Sequence, residues 1–215
     1  MKKTYYNTFL KYLDDENRDA SIDYALQLIQ EQKVTLEEMY LEILTPSLTE
    51  FFCSNEDEEI CIWKEHERTS IIRTILESLY VYVIHRKKQI PSKGKTVMVL
   101  CPSEEYHEIG AIIVSHFFAL SGYDAKYIGA NTPKNDIVSA VKALKPDMLA
   151  LSVTNYYNIV VTKKITEEIK SKYPDVKIIV GGQAFSHKDA LSQVQYDYHL
   201  SDLTTIASLE GGKSI

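Results

Sequence analysis

The chain is 215 residues long, 45% hydrophobic and 25% charged, with a formal net charge of −6. That length buries a real core and allows one large or two modest domains, while the acidic balance gives no whole-chain reason to expect a polyanion as direct partner. Cys53, Cys61 and Cys101 are too few and too scattered for a disulfide framework, and they make no CxxC knuckle. A reducing, cytoplasmic setting follows. The basic start MKK is not followed by a signal-peptide core, and no run approaches the ~18 apolar residues of a membrane span.

Residues 1–90 show helical spacing almost throughout, with one proline and no glycine. Tyr5, Phe9, Leu10 and Leu13 fall on one stripe, and Ile22, Ala25, Leu26 and Ile29 on another. A capping box from Thr35 to Glu38 opens a third helix, TLEEMYLEILTPSLTEFF, which Pro46 is expected to kink or break. The acidic stretch SNEDEE (54–59) reads as a turn. A long fourth helix then runs from about Ile60 to Lys87 and ends in basic residues that suit the helix dipole. Four helices joined by short loops predict a bundle.

In KKQIPSKGK (87–95), Pro91, Ser92 and Gly94 interrupt the lysines and the hydrophobic period changes, which sets a domain boundary between 1–90 and 91–215. Short apolar runs then alternate with helical patterns. TVMVLC, DAKYIG, DMLALSV, VKIIVGG and YDYHL read as strands. Helices are expected after His107, at Lys134–Leu144, around Val160–Lys172, near His187–Val194 and near Leu203. Apolar runs without alternation read as strands buried on both faces, and the β-α order predicts a five-stranded parallel, flavodoxin-like (Rossmann-like) α/β domain.

In such a sheet ligands bind beyond the carboxyl ends of the strands, where strand order reverses. The loops there are CPSEEYHEIG, IGANTP, SVTNYYN and GGQAF. They contain neither GxGxxG nor GxxxxGK[ST], so nucleotide phosphate binding has little support. His107 stands close to a helix N-terminus, whose dipole opposes imidazole protonation and keeps a nitrogen lone pair available to a metal or a proton. Glu105 is positioned to accept a hydrogen bond from the other ring nitrogen. The alternative is a partly exposed loop histidine with an acidic neighbour. Likewise, Gly181-Gly182 serves either a tight turn or a ligand slot, and Ser152 and Thr154 are either strand-end caps or slot residues.

Taken together, these residues resemble the cobalamin-binding domain family. Its [ED]xHxxG motif matches Glu105-Tyr-His107-Glu-Ile-Gly110, its SxL/SxT position matches Ser152-Val-Thr154, and its GG matches Gly181-Gly182. The resemblance implies a base-off, His-on corrinoid with His107 as lower cobalt ligand and Glu105 as its support. It further implies that Gly110 permits close approach, and that Ser152, Thr154, Gly181 and Gly182 contact the displaced nucleotide tail. The helical half and phrases such as HEIGA and VGGQ are most similar to the light-sensing CarH/LitR regulators, whose bundle carries a Wx9EH motif over the upper corrinoid face. Glu65-His66 matches its pair, with His66 as candidate upper ligand, but Asn55 stands where the tryptophan belongs and Trp63 is out of register. Because the chain starts at the bundle, the MerR-type DNA-binding domain of those regulators is not expected, nor is direct nucleic-acid binding.

The resemblance therefore implies a sensor or regulatory protein holding adenosylcobalamin or another cobalamin, acting through a protein partner or self-association away from membranes. A corrinoid methyl carrier is the alternative, and a corrinoid-free scaffold the third reading. His85, His116, His187 and His199 have no supported role. With no nucleophile in an identified triad, a binding protein is expected rather than an independent enzyme.

Overall fold

The computed structural model describes residues 2–53 and 58–209. The chain divides into two compact units, 1–85 and 86–215. In the first, α1 (Lys2–Asp14) and α2 (Arg18–Gln30) are separated by a turn at whose end Asn17 caps α2, its side chain accepting from the Ala20 N–H at 3.1 Å. The expected capping box is present: the Glu38 N–H donates to Thr35 Oγ1 (3.2 Å) and the Thr35 N–H donates to Glu38 Oε2 (2.8 Å).

Pro46 neither breaks nor ends the third helical segment. α3 (Leu36–Glu38) runs through a π-helical stretch (Met39–Leu44) into α4 (Thr45–Thr49), with Pro46 in the first turn of α4. A proline has no N–H for the carbonyl four residues back and its ring crowds that carbonyl, so the chain widens just upstream. There the Thr45 N–H reaches the Tyr40 carbonyl five residues away. α5 (Glu58–Lys87) completes the unit. Phe9, Leu13, Leu28, Tyr40, Leu44, Ile72, Leu76 and Leu79 are all buried, so α1, α2, the π-helical stretch and α5 each bury an apolar side. The anticipated turn at 54–59 lies partly outside the described residues, as does Asn55; Glu58 and Glu59 already belong to α5.

One expectation fails here. The cysteines were read as too few and too scattered for a disulfide framework, yet Cys53 and Cys61 form a disulfide with their Cα atoms 5.6 Å apart. Spacing along the chain was a poor guide, because the start of α5 returns Cys61 to the end of the preceding segment.

The second unit is a five-stranded parallel sheet of β1 (Thr96–Pro102), β2 (Asp124–Thr132), β3 (Met148–Ser152), β4 (Lys177–Gly181) and β5 (Tyr198–Leu200), in the order β2-β1-β3-β4-β5. This is the flavodoxin-like order, which reverses between β1 and β3. β1, β3 and β4 are buried as expected, whereas the edge strands β2 and β5 are only partly covered. α6 (Ile109–Leu120), α7 (Lys134–Leu144) and α8 (Ile159–Lys172) lie where helices were expected. The two later helices do not form. Short 3-10 turns at Gln183–Ser186, Leu191–Gln193 and Leu203–Ser208 stand instead, because segments this short close too few i→i+4 bonds and are held by buried Ala184, Phe185 and Ile206.

Candidate functional site

Pairing between β1 and β3 ends at Leu100–Leu151, while β3 and β4 stay paired to Ser152–Gly181. The ends of β1 and β3 therefore separate at the point where strand order reverses, and the loops after them define a crevice. Its organising group is Glu105. The side chain is 0% exposed, yet its carboxylate accepts five hydrogen bonds. Oε1 takes the His107 N–H (3.1 Å) and stands 2.6 Å from His107 Nδ1; Oε2 takes the N–H groups of Thr154 (2.9 Å) and Asn155 (2.8 Å) and the Asn158 Nδ2 (3.1 Å). Burial alone raises a carboxyl's pKa, but here hydrogen bonds from His107, Asn155 and Asn158 outweigh it and hold Glu105 at about 2, against an ordinary 4.5. The group is thus an anion at neutral pH, and an ionised carboxylate can only accept.

That fixes His107. With Oε1 as acceptor, Nδ1 carries the proton, and the lone pair of the neutral ring is on Nε2. The side chain is 58% exposed although its anchor is buried. The ring stands two residues ahead of α6, as its sequence position implied. Asn131 braces the same loop from β2 with its side chain and main chain: the Glu104 N–H donates to Asn131 Oδ1 (2.8 Å) and the Asn131 N–H to the Glu105 carbonyl (2.9 Å). Tyr127 Oη donates to Glu108 Oε2 at 2.6 Å.

The small residues converge on the same place. A Cβ added to Gly110 would lie 3.6 Å from Ser152 Oγ, so these two motif positions, 42 residues apart in sequence, face each other across the crevice. Gly182 adopts φ +103°, and a Cβ there would come within 2.4 Å of the Val153 carbonyl oxygen. At Gly181 a Cβ would come within 2.9 Å of the Leu200 carbonyl oxygen. Both glycines are required by their own backbone neighbours, whatever else they touch.

The structure therefore brings together Glu105, His107, Gly110, Ser152, Thr154, Gly181 and Gly182. Glu65 and His66 lie in the other unit, both exposed on α5. Sequence reading missed Asn158, a buried amide that donates to Glu105 and also to the Glu104 carbonyl (3.3 Å), and Asn131 on β2. The cluster of asparagines in SVTNYYN and GANTP was the available signal. His116 is buried, which pushes its pKa down to about 4; His187 stacks near Tyr156 with ring centres 4.5 Å apart, and His199 lies near Phe185.

Among the described residues no group of three His, Cys, Asp or Glu side chains is placed to hold a bare metal ion. A lone imidazole is instead suited to be one axial ligand of a metal whose other positions are filled by a macrocycle. The crevice loops carry apolar surface for such a disc: Tyr106 is 68% and Tyr157 84% exposed, next to His107 and Asn158 respectively. The residues present fit a corrinoid.

Comparison with known proteins agrees. The B12 binding domain matches residues 95–202. The trimethylamine corrinoid protein of Methanosarcina barkeri is 33% identical over 99 residues, 45% of either chain. The HTH-type transcriptional repressor CarA of Myxococcus xanthus is 24% identical over 145 residues, 67% of this chain and 49% of that protein. The chain thus spans about half the length of these curated relatives. In fold it is similar to the M. barkeri monomethylamine corrinoid protein, with a TM-score of 0.79 at 13% identity over 97% of this chain and 98% of that one. A cobalamin-binding protein from Desulfitobacterium hafniense gives a TM-score of 0.50 at 16% identity over 95% and 96%. With the sheet order, the histidine held by a buried carboxylate and half of the sequence all in agreement, the chain belongs to the B12 binding domain family and carries a cobalamin-binding domain.

Proposed function

We propose that the chain is a cobalamin-holding sensor or regulatory protein in which His107 Nε2 is the lower ligand of cobalt. The observation that carries this reading is the 2.6 Å contact between His107 Nδ1 and a fully buried, ionised Glu105. When bound, the corrinoid supplies a cobalt centre whose upper bond can be made and broken. The rest falls to this chain. Glu105 holds the tautomer and aims the ring, while Asn158 and the N–H groups of Thr154 and Asn155 hold Glu105. Gly110, Ser152, Thr154, Gly181 and Gly182 line the slot for the displaced nucleotide tail. The resemblance to the regulators makes residues 91–215 the proposed binding domain and 1–90 the proposed upper-face cap, with Glu65 and His66 the candidate upper-face pair and His66 the candidate upper ligand. Asn55, in the slot of the regulators' tryptophan, is outside the described residues.

The regulatory reading draws support from the similarity to CarA, because 145 matched residues exceed the span of the B12 domain and reach into the helical half. On this reading the upper ligand is adenosyl or a related group, light is a candidate signal, and the output passes to a protein partner or a second copy rather than directly to nucleic acid. Catalysis is not assigned to the chain alone. No described helix is long and apolar enough to cross a membrane; the proposed setting is cytoplasmic. A second reading, a corrinoid methyl carrier working with a methyltransferase, is favoured by the 33% identity to a corrinoid protein.

The readings separate experimentally. The protein is incubated with adenosyl-, methyl- or hydroxocobalamin, stripped of free ligand, and followed by visible spectrum and size in darkness and after green light. A light-dependent change of oligomeric state with adenosylcobalamin is expected for the sensor. A stably held corrinoid that passes methyl groups and ignores light would favour the carrier, and retention of no cobalamin would contradict both.

A further inference from the structure

Burial confines thiol chemistry in this chain to one place. Cys101 is fully buried in β1, where burial, then the negative charges of Glu105 and Glu108, push its thiol up to about 12. Cys53 and Cys61 are only half-buried, and they are bonded to each other. Cys61 sits in the first turn of α5, and Glu65 follows one turn later on the same face, with His66 next to it. Cys53 ends the segment of Phe51 and Phe52. The Phe51 ring lies 4.4 Å from the guanidinium of buried Arg68, which is paired with Asp14 and donates to the Ser47 carbonyl (3.3 Å). Two ties therefore hold this segment to α5, one a cation–π contact and the other a covalent bond. A pocket of about 320 Å³ opens beside the bond, its described lining including Phe51, Phe52, Cys53, Lys64 and Arg68, which leaves room for a small thiol to approach Cys53.

We propose that Cys53–Cys61 is a reversible thiol–disulfide switch that clamps or releases the N-terminal turns of α5, the turns that carry Glu65 and His66. The reductant is a small dithiol. Its thiolate attacks Cys53 Sγ, the S–S bond breaks, and Cys61 leaves as a thiolate that the helix N-terminus favours. The second thiol of the reductant then displaces Cys53 from the mixed disulfide. Two electrons and two protons pass to the protein, giving two Cys thiols and the reductant's own disulfide; a disulfide oxidant reverses the step. In a reducing compartment the resting form is the dithiol, and formation of the bond reports oxidation.

The test uses the full chain without cobalamin. After equilibration with excess oxidised glutathione, one titratable thiol is expected in denaturant out of three cysteines; after native incubation with reduced dithiothreitol, three; after reoxidation, one again. Peptide mapping should place the bond at 53–61. Three thiols after oxidation, or one after native reduction, would overturn the proposal. Reduction should also speed trypsin cleavage after Lys64 on the order of tenfold, with cleavage after exposed Lys142 in the sheet unit as unchanged control. The Cys53→Ser/Cys61→Ser variant should cleave at the fast rate under both conditions. Equal Lys64 rates in the two redox states would refute the clamp. Any effect on cobalamin retention rests on the reading of Glu65 and His66 given above; thiol counts and cleavage rates do not, so the two can fail separately.

Discussion

Two histidine–glutamate pairs lie in this chain, and the two units build them differently. In the sheet unit, Glu105 is buried and gathers donors from its own loop and the loop after β3, so that His107 is aimed before any ligand arrives. On α5, Glu65 and His66 are exposed neighbours on a helix surface. A site that must hold a ligand continuously gains from geometry fixed in advance, whereas a group that answers a change of ligand is better left with freedom to move. On the proposed function, the contrast corresponds to a permanent lower bond and a variable upper one.

The largest effect should come from breaking the buried side of this comparison. Glu105→Gln keeps the shape but turns one acceptor oxygen into a donor facing other donors, and should destabilise the sheet unit by about 3–5 kcal/mol in chemical denaturation. The same carboxylate sets an acid limit. Its folded pKa of about 2 lies below the ordinary 4.5, so its contribution is complete above about pH 4.5 and is lost as pH falls toward 2. Stability measured against pH should therefore converge for the wild type and Glu105→Gln over that window. A constant gap would refute the assignment.

Gly182→Ala follows, at about 2–4 kcal/mol, because a Cβ at φ +103° meets the Val153 carbonyl oxygen at 2.4 Å. Asn158→Ala should cost about 1–3 kcal/mol by removing one of the donors that hold Glu105. Loosened cobalamin retention with little further loss of stability would sharpen the view of Asn158 as a positioning residue. The smallest effect belongs to the exposed pair. His66→Ala should change stability by less than about 0.5 kcal/mol and alter only the spectrum and light response of the loaded protein. A large loss of fold stability would show that α5 is built more like the crevice than proposed.

Legibility in the sequence divides along physical lines. β1, β3 and β4 announced themselves because burial on both faces demands unbroken apolar runs, and α7 and α8 because burial of one side imposes a helical period; α6 is buried on nearly all sides and stood out by the length of its apolar run. The motif residues around His107 were legible as types at a spacing. The network behind them was not: Asn158 meets Glu105 across 53 positions, and no local period encodes such a contact. Pro46 was expected to kink or break its helix; the segment does not break, because a π-helical stretch just upstream absorbs the missing N–H. The disulfide was missed because spacing along the chain does not report that α5 returns Cys61 to Cys53. The later 3-10 turns were misread as α-helices because a few apolar residues cannot distinguish one short turn from another.

The lower bond itself can be tested most directly by spectroscopy. Protein grown with histidine labelled with 15N in its imidazole ring is loaded with cob(II)alamin, and its electron paramagnetic resonance spectrum is recorded beside that of unlabelled protein. If His107 is the lower ligand, each cobalt line should change from a 14N triplet to a 15N doublet, and His107→Ala should abolish the change. Triplets that persist in the labelled protein would mean that the corrinoid keeps its own base, and that His107 does not bind cobalt.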